Sequence, residues 1–225
     1  MEFTEDALVI RTANYGENDR MVTLLSAGRG KFGAAMKGVR KAGAKLNFAA
    51  QPFCFAQYTV AERADRKTVI SASLYDGFYS LREDMTRYYT AICVLEACDA
   101  LLPEAMPAGP MLVAAVETLK KLCADEEYAL IPFLLEALEI SGYPVEMPQE
   151  GTLNKFDFES GIFSDGGAGV PVSESTVAVL RSALYHDGGA GSADGYKRAL
   201  RLLRSYFSYQ TETDLPTLGE LLGVL

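Results

Sequence analysis

The sequence predicts an α+β chain in two parts, a small five-stranded β-barrel over residues 1–78 and an α-helical domain over residues 79–225. Three observations carry that reading. Short β-rich segments punctuated by glycine fill the stretch up to residue 75, with no helical periodicity between them. From Met85 onward, apolar residues recur three and four apart. The charge balance changes at the same place. Residues 1–80 hold 11 Lys and Arg against 8 Asp and Glu, a balance of +3, whereas residues 81–225 hold 10 against 22, a balance of −12. A mildly basic first third joined to a strongly acidic remainder is what a nucleic-acid face beside a partner-facing domain would show.

Each element follows from its own pattern. Ala7-Leu8-Val9-Ile10-Arg11 is a short apolar run, and Met21 to Leu25 is a second. Lys31 to Lys37 alternates, with Phe32, Ala34 and Met36 on one face. Gly28 and Gly30 lie between these last two segments, as a hairpin turn requires. Pro52 to Val60 is aromatic and β-branched, with Phe53 and Phe55 on one face, and Lys67 to Ser73 makes a fifth strand. Five short strands in succession point to a small barrel. Met85, Tyr88, Ile92, Leu95, Cys98 and Leu102 then draw an apolar stripe along a first helix, which Pro103 ends. Leu112 to Cys123 draws a second helix, and Ile131 to Leu138 a third that Gly142-Tyr143-Pro144 stops. Residues 144–173 read as an irregular insertion with aromatic alternation at Phe156 and Phe158. Ser173 to Leu184 and Tyr196 to Phe207 complete the helical set.

Composition limits the chemistry. Apolar residues make up 49% of the chain, enough for a substantial core. The four cysteines, at 54, 93, 98 and 123, form no CxxC pair, and His186 is the single histidine. No standard structural zinc site can be assembled from them, and the thiols read as free and buried in a reducing compartment. The opening MEFTEDALVI carries acids where a secretory signal carries bases. No apolar run approaches the ~20 residues of a membrane span. The expectation is a soluble, cytoplasmic protein with no membrane contact.

The candidate binding residues are cations. Lys37, Arg40, Lys41 and Lys45 fall within nine residues that contain no acid, spaced by Gly38, Ala42, Gly43 and Ala44. Small residues let such a loop approach a phosphate backbone, and Lys and Arg displace its counterions. Arg11, Arg20, Arg29 and Lys31 could extend the patch along the barrel; the plainer alternative is a solvated loop. Phe48, Phe53, Phe55 and Tyr58 could offer stacking surfaces or could be core, with Phe48 the best placed for stacking. Late in the chain, Lys197, Arg201 and Arg204 share one helix face, with Arg198 beside them. They could pair with the domain's own acids or dock an acidic partner. Two DGGAG runs, at 165–169 and 187–191, lack a following GK[ST] and read as turns, not phosphate loops. Asp157, Glu159 and Asp165 read as loop acids, and nothing assembles a catalytic site.

Three stretches together resemble the RecO family. They are Ala7-Leu8-Val9-Ile10-Arg11-Thr12 followed by Tyr15-Gly16-Glu17-Asn18-Asp19-Arg20 and Val22-Thr23-Leu24-Leu25; Gly30-Lys31 leading to Lys37-Gly38-Val39-Arg40-Lys41; and Leu200-Arg201-Leu202-Leu203-Arg204-Ser205-Tyr206. Their order and spacing fit the family along nearly the whole chain. The resemblance implies an OB-fold barrel, binding of single- and double-stranded DNA, and annealing of strands coated by single-stranded DNA-binding protein (SSB). It also implies work with RecR to load RecA, and a site for the acidic SSB tail on the late cationic helix. Many members carry a four-cysteine zinc knot in the insertion. Here those positions hold Met147, Glu150, Val170 and Ser173, which cannot make a thiolate site, so the expectation is a degenerate knot with no metal and no cofactor. The acidic total of −9 keeps a rival reading open, a protein–protein scaffold with weak or no DNA binding; a metal-dependent nuclease is a weaker third.

Overall fold

A computed structural model describes residues 1–64, 66–186 and 192–225; the second DGGAG run lies outside the described residues. Five strands come first: β1 (Glu2–Tyr15), β2 (Asp19–Ser26), β3 (Gly30–Met36), β4 (Phe55–Arg63) and β5 (Arg66–Asp76). They close into a barrel in the order β1-β2-β3-β5-β4. Every pairing is antiparallel except β3 with β5, which meet in parallel at Ala35↔Thr68. This is a five-stranded Greek-key barrel of the OB type. β1 serves two neighbours, pairing β4 with its first half and β2 with its second.

The apolar run 7–10 does not alternate because both of its faces are covered. Ala7 and Val9 point into the barrel with Val22, Leu24, Ala34, Met36 and Tyr58. Leu8 and Ile10 point outward, join Leu25, and enter the core of the helices instead. Each such side chain stabilises the junction by about 1.5–3 kcal/mol. The long β3–β4 connection crosses one end of the barrel and plugs it with Val39, Ala49, Ala50 and Cys54.

Six helices follow: α1 (Met85–Leu101), α2 (Gly109–Cys123), α3 (Leu130–Ile140), α4 (Glu174–Tyr185), α5 (Ala193–Thr211) and α6 (Pro216–Val224). Asp84, Ser173 and Ser192 cap α1, α4 and α5, each accepting from a backbone N–H in the first turn. The periodicity located the first five. α6 went unread, because nine residues with Gly219 and Gly223 among them carry weak helical propensity. Tertiary contact makes it: Leu218 and Leu221 are buried, and Glu96 of α1 accepts from both the N–H and the hydroxyl of Thr217.

The insertion is more regular than its sequence implied. It holds β6 (Lys155–Phe156), β7 (Phe163–Ser164) and β8 (Val170–Pro171), in the sheet order β7-β6-β8. Aromatic packing holds it to α5: the Phe156 ring lies 4.5 Å from Phe163 and 5.1 Å from Tyr206. Met147 is buried, and Ser173 caps α4.

The barrel and helices are locked together at the β2–β3 hairpin. Ala108 donates to the Ala27 carbonyl and Ala105 to the Lys31 carbonyl. Gly30 has φ +64°, and a Cβ there would stand 1.7 Å from the Met106 carbonyl oxygen. No helix among the described residues is long and apolar enough to cross a membrane.

Candidate nucleic-acid interface

A cation already neutralised by a carboxylate is a poor phosphate ligand, so the partners of each Lys and Arg sort the candidates. Lys31 is committed to the interior. Its ammonium sits 3.0 Å from Asp99 of α1, and its side chain is 13% exposed. Arg11 reaches the same Asp99 at 3.4 Å from a far more open position. Arg29 pairs with Glu5 at 3.4 Å and lies 3.7 Å over the Phe3 ring. These three cations hold the barrel's side and the domain junction together.

The 37–45 loop differs. Lys37, Lys41 and Lys45 are exposed, and none of them has an ion pair among the described residues. The Tyr15-to-Arg20 turn holds the loop in place. Asp19 accepts from the Gly38 N–H at 2.7 Å, and the Asn18 carbonyl accepts from the Arg40 N–H at 3.0 Å. Arg40 donates to the Glu17 carbonyl at 3.1 Å, and Arg20 to the Ala50 carbonyl at 2.8 Å. Both arginines therefore position the loop while making no ion pair among the described residues. Gly16, Gly38 and Gly43 all take positive φ, at +61°, +66° and +73°, which the tight turns on either side of this latch require. Two of the segments that carry the family resemblance, residues 15–20 and 37–41, are thus a clamp and the cationic loop it presents.

The aromatic candidates fall mostly to the core. Phe53 lies before β4, with φ +70°, and is buried edge-on against Tyr88 of α1 at 5.7 Å. Phe55 is on the strand and half-buried beside Tyr75, so Phe53 and Phe55 do not share a strand face. Tyr58 is fully buried and donates to the Ala49 carbonyl; burial pushes its phenol up. Phe48 packs half-buried against the barrel core beside the basic loop.

Two further arginines, Arg63 and Arg66, escaped the sequence reading. They face each other across the β4–β5 turn, are exposed, and have no ion pair among the described residues. The strands were read as ending at Val60 and beginning at Lys67, which left both looking like loop residues. The outer face of β2 and β3 is less favourable to an anion. Met21, Thr23 and Gly33 line a cleft there together with four carboxylates, Glu96, Asp99, Glu104 and Asp214.

On α5 the three cations read as one stripe have different surroundings. Arg204 forms a two-pronged pair with Asp214, at 2.8 and 2.5 Å. That contact holds the Asp214 carboxyl below the usual carboxylate range. Lys197 is half-buried with no ion pair among the described residues. Arg201 is exposed and lines a groove between α5 and β8 with Arg198, over an apolar floor of Phe158, Val170, Val172 and Leu202. Arg198 also reaches Asp194 one turn back, at 2.8 Å. Elsewhere, Asp157 closes a turn by accepting from the Ser160 hydroxyl and the Glu159 N–H, which lowers its pKa. The thiols of Cys93 and Cys98 are pushed up by burial, that of Cys98 to about 12, the opposite of an activated thiol.

Comparison with known proteins agrees along the whole length. The family model described as recombination protein O N terminal matches residues 1–78, and that for the C terminal matches residues 82–219. The DNA repair protein RecO of Nocardioides sp. is 28% identical over 97% of this chain and 98% of its own length. That of Bacillus subtilis is 25% identical over 81% of this chain and 77% of its own. That of Heliobacterium modesticaldum is 34% identical over 64% of this chain and 53% of its own length. With the OB barrel, the latched basic loop and the acidic helical domain in one continuous match, the chain belongs to the RecO family of DNA repair proteins.

Proposed function

We propose that the protein is a DNA-binding recombination mediator whose barrel holds DNA by its phosphates through Lys37, Lys41 and Lys45. Arg20 and Arg40 position that loop and add to its field. The observation that carries this reading is the exposed, acid-free loop whose lysines have no carboxylate partner, in a chain whose other barrel cations are largely paired. By the family's logic it binds single and double strands, anneals strands coated by SSB, and works with RecR toward RecA loading. This is binding chemistry with no covalent step. The division of labour follows the division of the chain, DNA on residues 1–78 and protein partners on 79–225. The groove of Arg198 and Arg201 over Phe158, Val170 and Leu202 offers what an acidic tail with an apolar end needs, guanidinium forks beside an apolar floor.

Fluorescence anisotropy with a labelled oligonucleotide across a salt series tests the DNA reading. Each phosphate neutralised contributes a log–log slope of about −0.7 on single strands and −0.9 on duplex. Changing Lys37, Arg40, Lys41 and Lys45 together to Ala is expected to weaken binding and flatten the single-strand slope by up to about 2.8. An unchanged slope would make the loop solvated surface and favour the scaffold reading.

A further inference from the structure

Four helix ends meet around one hollow in the helical domain: α1 and α5 begin there, and α2 and α6 end there. Because the helices stop at its edge, no helix face covers the gap. A cavity of about 390 Å³ remains, a volume within the range of small-molecule sites. Its apolar lining is Leu122 and Leu221, both buried, with Leu225 at the edge. One wall is aromatic. Tyr196 is buried, and Tyr128 stands edge-on to it at 4.8 Å with half of its own surface in water.

Charge decides what such a cavity can hold. Asp84, Asp125 and Glu127 line it together with one cation, Arg87, which leaves two negative charges in excess. The donors at the cavity are already used within the chain. The Arg87 guanidinium pairs with Asp125, and its backbone N–H donates to Asp84 at 2.8 Å. The Thr90 hydroxyl donates to the Thr86 carbonyl at 2.8 Å, and the Tyr196 hydroxyl to the Glu127 carbonyl at 3.4 Å. The acceptors are not used in the same way: the Glu127 carboxylate has no ion pair among the described residues. An anion would meet repulsion there. A neutral apolar ligand would strip water from the carboxylates and return nothing. A cation on an alkyl stem suits all three surfaces, with methylenes on the leucines, ammonium groups at the carboxylates, and the Tyr128 ring face open to a cation.

The other acidic hollow, between barrel and helices, answers its charges internally. Asp99 meets Lys31 and Arg11, Asp214 meets Arg204, and Glu96 accepts from Thr217. The α5–β8 groove has the opposite chemistry, with arginines and no carboxylate in its lining. We propose that the cavity at the four helix ends is a binding site for an aliphatic polyamine, ammonium groups joined by short methylene chains. The site lies in the half of the chain that the DNA-binding reading does not use, and it is independent of that reading. Occupancy brings at least two positive charges to residues 81–225, whose balance is −12, and so lowers the repulsion between that domain and any polyanion.

Isothermal titration of the full chain at low salt, without DNA, tests the site with spermidine and putrescine as probes. The expected result is saturable binding of a single spermidine per chain, tighter than putrescine, that survives excess magnesium chloride, a divalent cation with no alkyl stem. Glu127→Gln is expected to weaken spermidine roughly tenfold, the loss of one charge-assisted hydrogen bond. Tyr128→Ala is expected to weaken it roughly fivefold, and Tyr128→Phe, which keeps the ring, to restore it. Both side chains are exposed, and circular dichroism confirms that the variants fold. Glu136→Gln removes the same charge from the exposed face of α3, outside the cavity, and is expected to change nothing. Heats that do not saturate, displacement by magnesium, or an equal loss in Glu136→Gln would reduce the effect to diffuse counterion attraction and overturn the proposal. Folded Glu127→Gln and Tyr128→Ala variants that bind like wild type would overturn it as well. So would binding of a lysine-bearing peptide with none of spermidine, which would give the cavity to a protein partner. None of these outcomes bears on oligonucleotide binding by the barrel, which is measured separately.

Discussion

At the scale of single residues, what a charged group can do is set by what already touches it. Arg201 and Arg204 sit three apart on one helix and look equivalent in sequence. Arg204 is spoken for by Asp214, which fastens the α5–α6 connection, while Arg201 is exposed in a groove. The pair has a pH signature. An unfolded Asp titrates near pH 3.9, and Arg204 holds the folded value of Asp214 below that. The unfolded state then binds the proton first as pH falls, so the pair's contribution is fully present above about pH 4 and is lost as pH drops through the depressed value. Thermal melts of wild type and Asp214→Asn are expected to differ at pH 7 and to converge toward pH 2. A gap that persists at pH 2, or none at pH 7, would count against the pair. The gap is modest, because both groups are partly in water.

At the scale of elements, α5 and the insertion together line a groove that neither makes alone. α5 buries Tyr196, Leu200, Leu203 and Phe207 on one face and turns Arg198 and Arg201 outward toward β8. Among the described residues β8 pairs only with β6, and its Val170 remains exposed beside those arginines. The aromatic cluster of Phe156, Phe163 and Tyr206 fixes the insertion to α5 by packing. The proposed docking of an acidic tail with an apolar end calls for charge and burial together, since exposed ion pairs alone contribute about 0–1 kcal/mol each. Arg198→Glu with Arg201→Glu is expected to weaken the SSB tail peptide by at least tenfold, about 1.4 kcal/mol. DNA binding by the barrel is expected to stay intact. Isothermal titration of the peptide checks it, with circular dichroism to confirm folding; equal affinity for the folded variant would move the partner site elsewhere.

At the scale of the whole molecule, charge is segregated and the two parts meet at the β2–β3 hairpin. The acids of α1 and the α5–α6 connection face the barrel's flank, and the lysines of the 37–45 loop are exposed. That arrangement lets a chain of net charge −9 offer a local positive surface, although the long-range field opposes a polyanion. The joint depends on the close approach at Gly30, where a Cβ would collide with the Met106 carbonyl. Gly43 has a similar positive φ and open space around it. Gly43→Ala is therefore expected to cost only the backbone strain, about 1–2 kcal/mol. Gly30→Ala adds displacement of the α1–α2 loop and is expected to cost clearly more, above about 2 kcal/mol. Urea unfolding of the two variants separates the terms, and equal losses would mean that the hairpin contact is not what joins the domains.

The sequence by itself determined the fold class, the order of the five strands and the first five helices, and the identity of the basic loop. Those features are local: periods of two and of three to four, glycine and proline stops, and runs of one charge are all written within a few neighbouring residues. Long-range partners were not legible. Lys31 and Lys37 end the same short strand segment, yet one is buried on Asp99 and the other is free. Phe53 and Phe55 read as one face until the backbone turns at Phe53 and sends the first ring into the helices. α6 exists because Glu96, more than a hundred residues earlier, anchors its first turn. Arg63 and Arg66 became a pair only through strand register. Which charges cancel, and which remain to meet a ligand, depends on distances between residues far apart in the chain, and only the tertiary structure decided them.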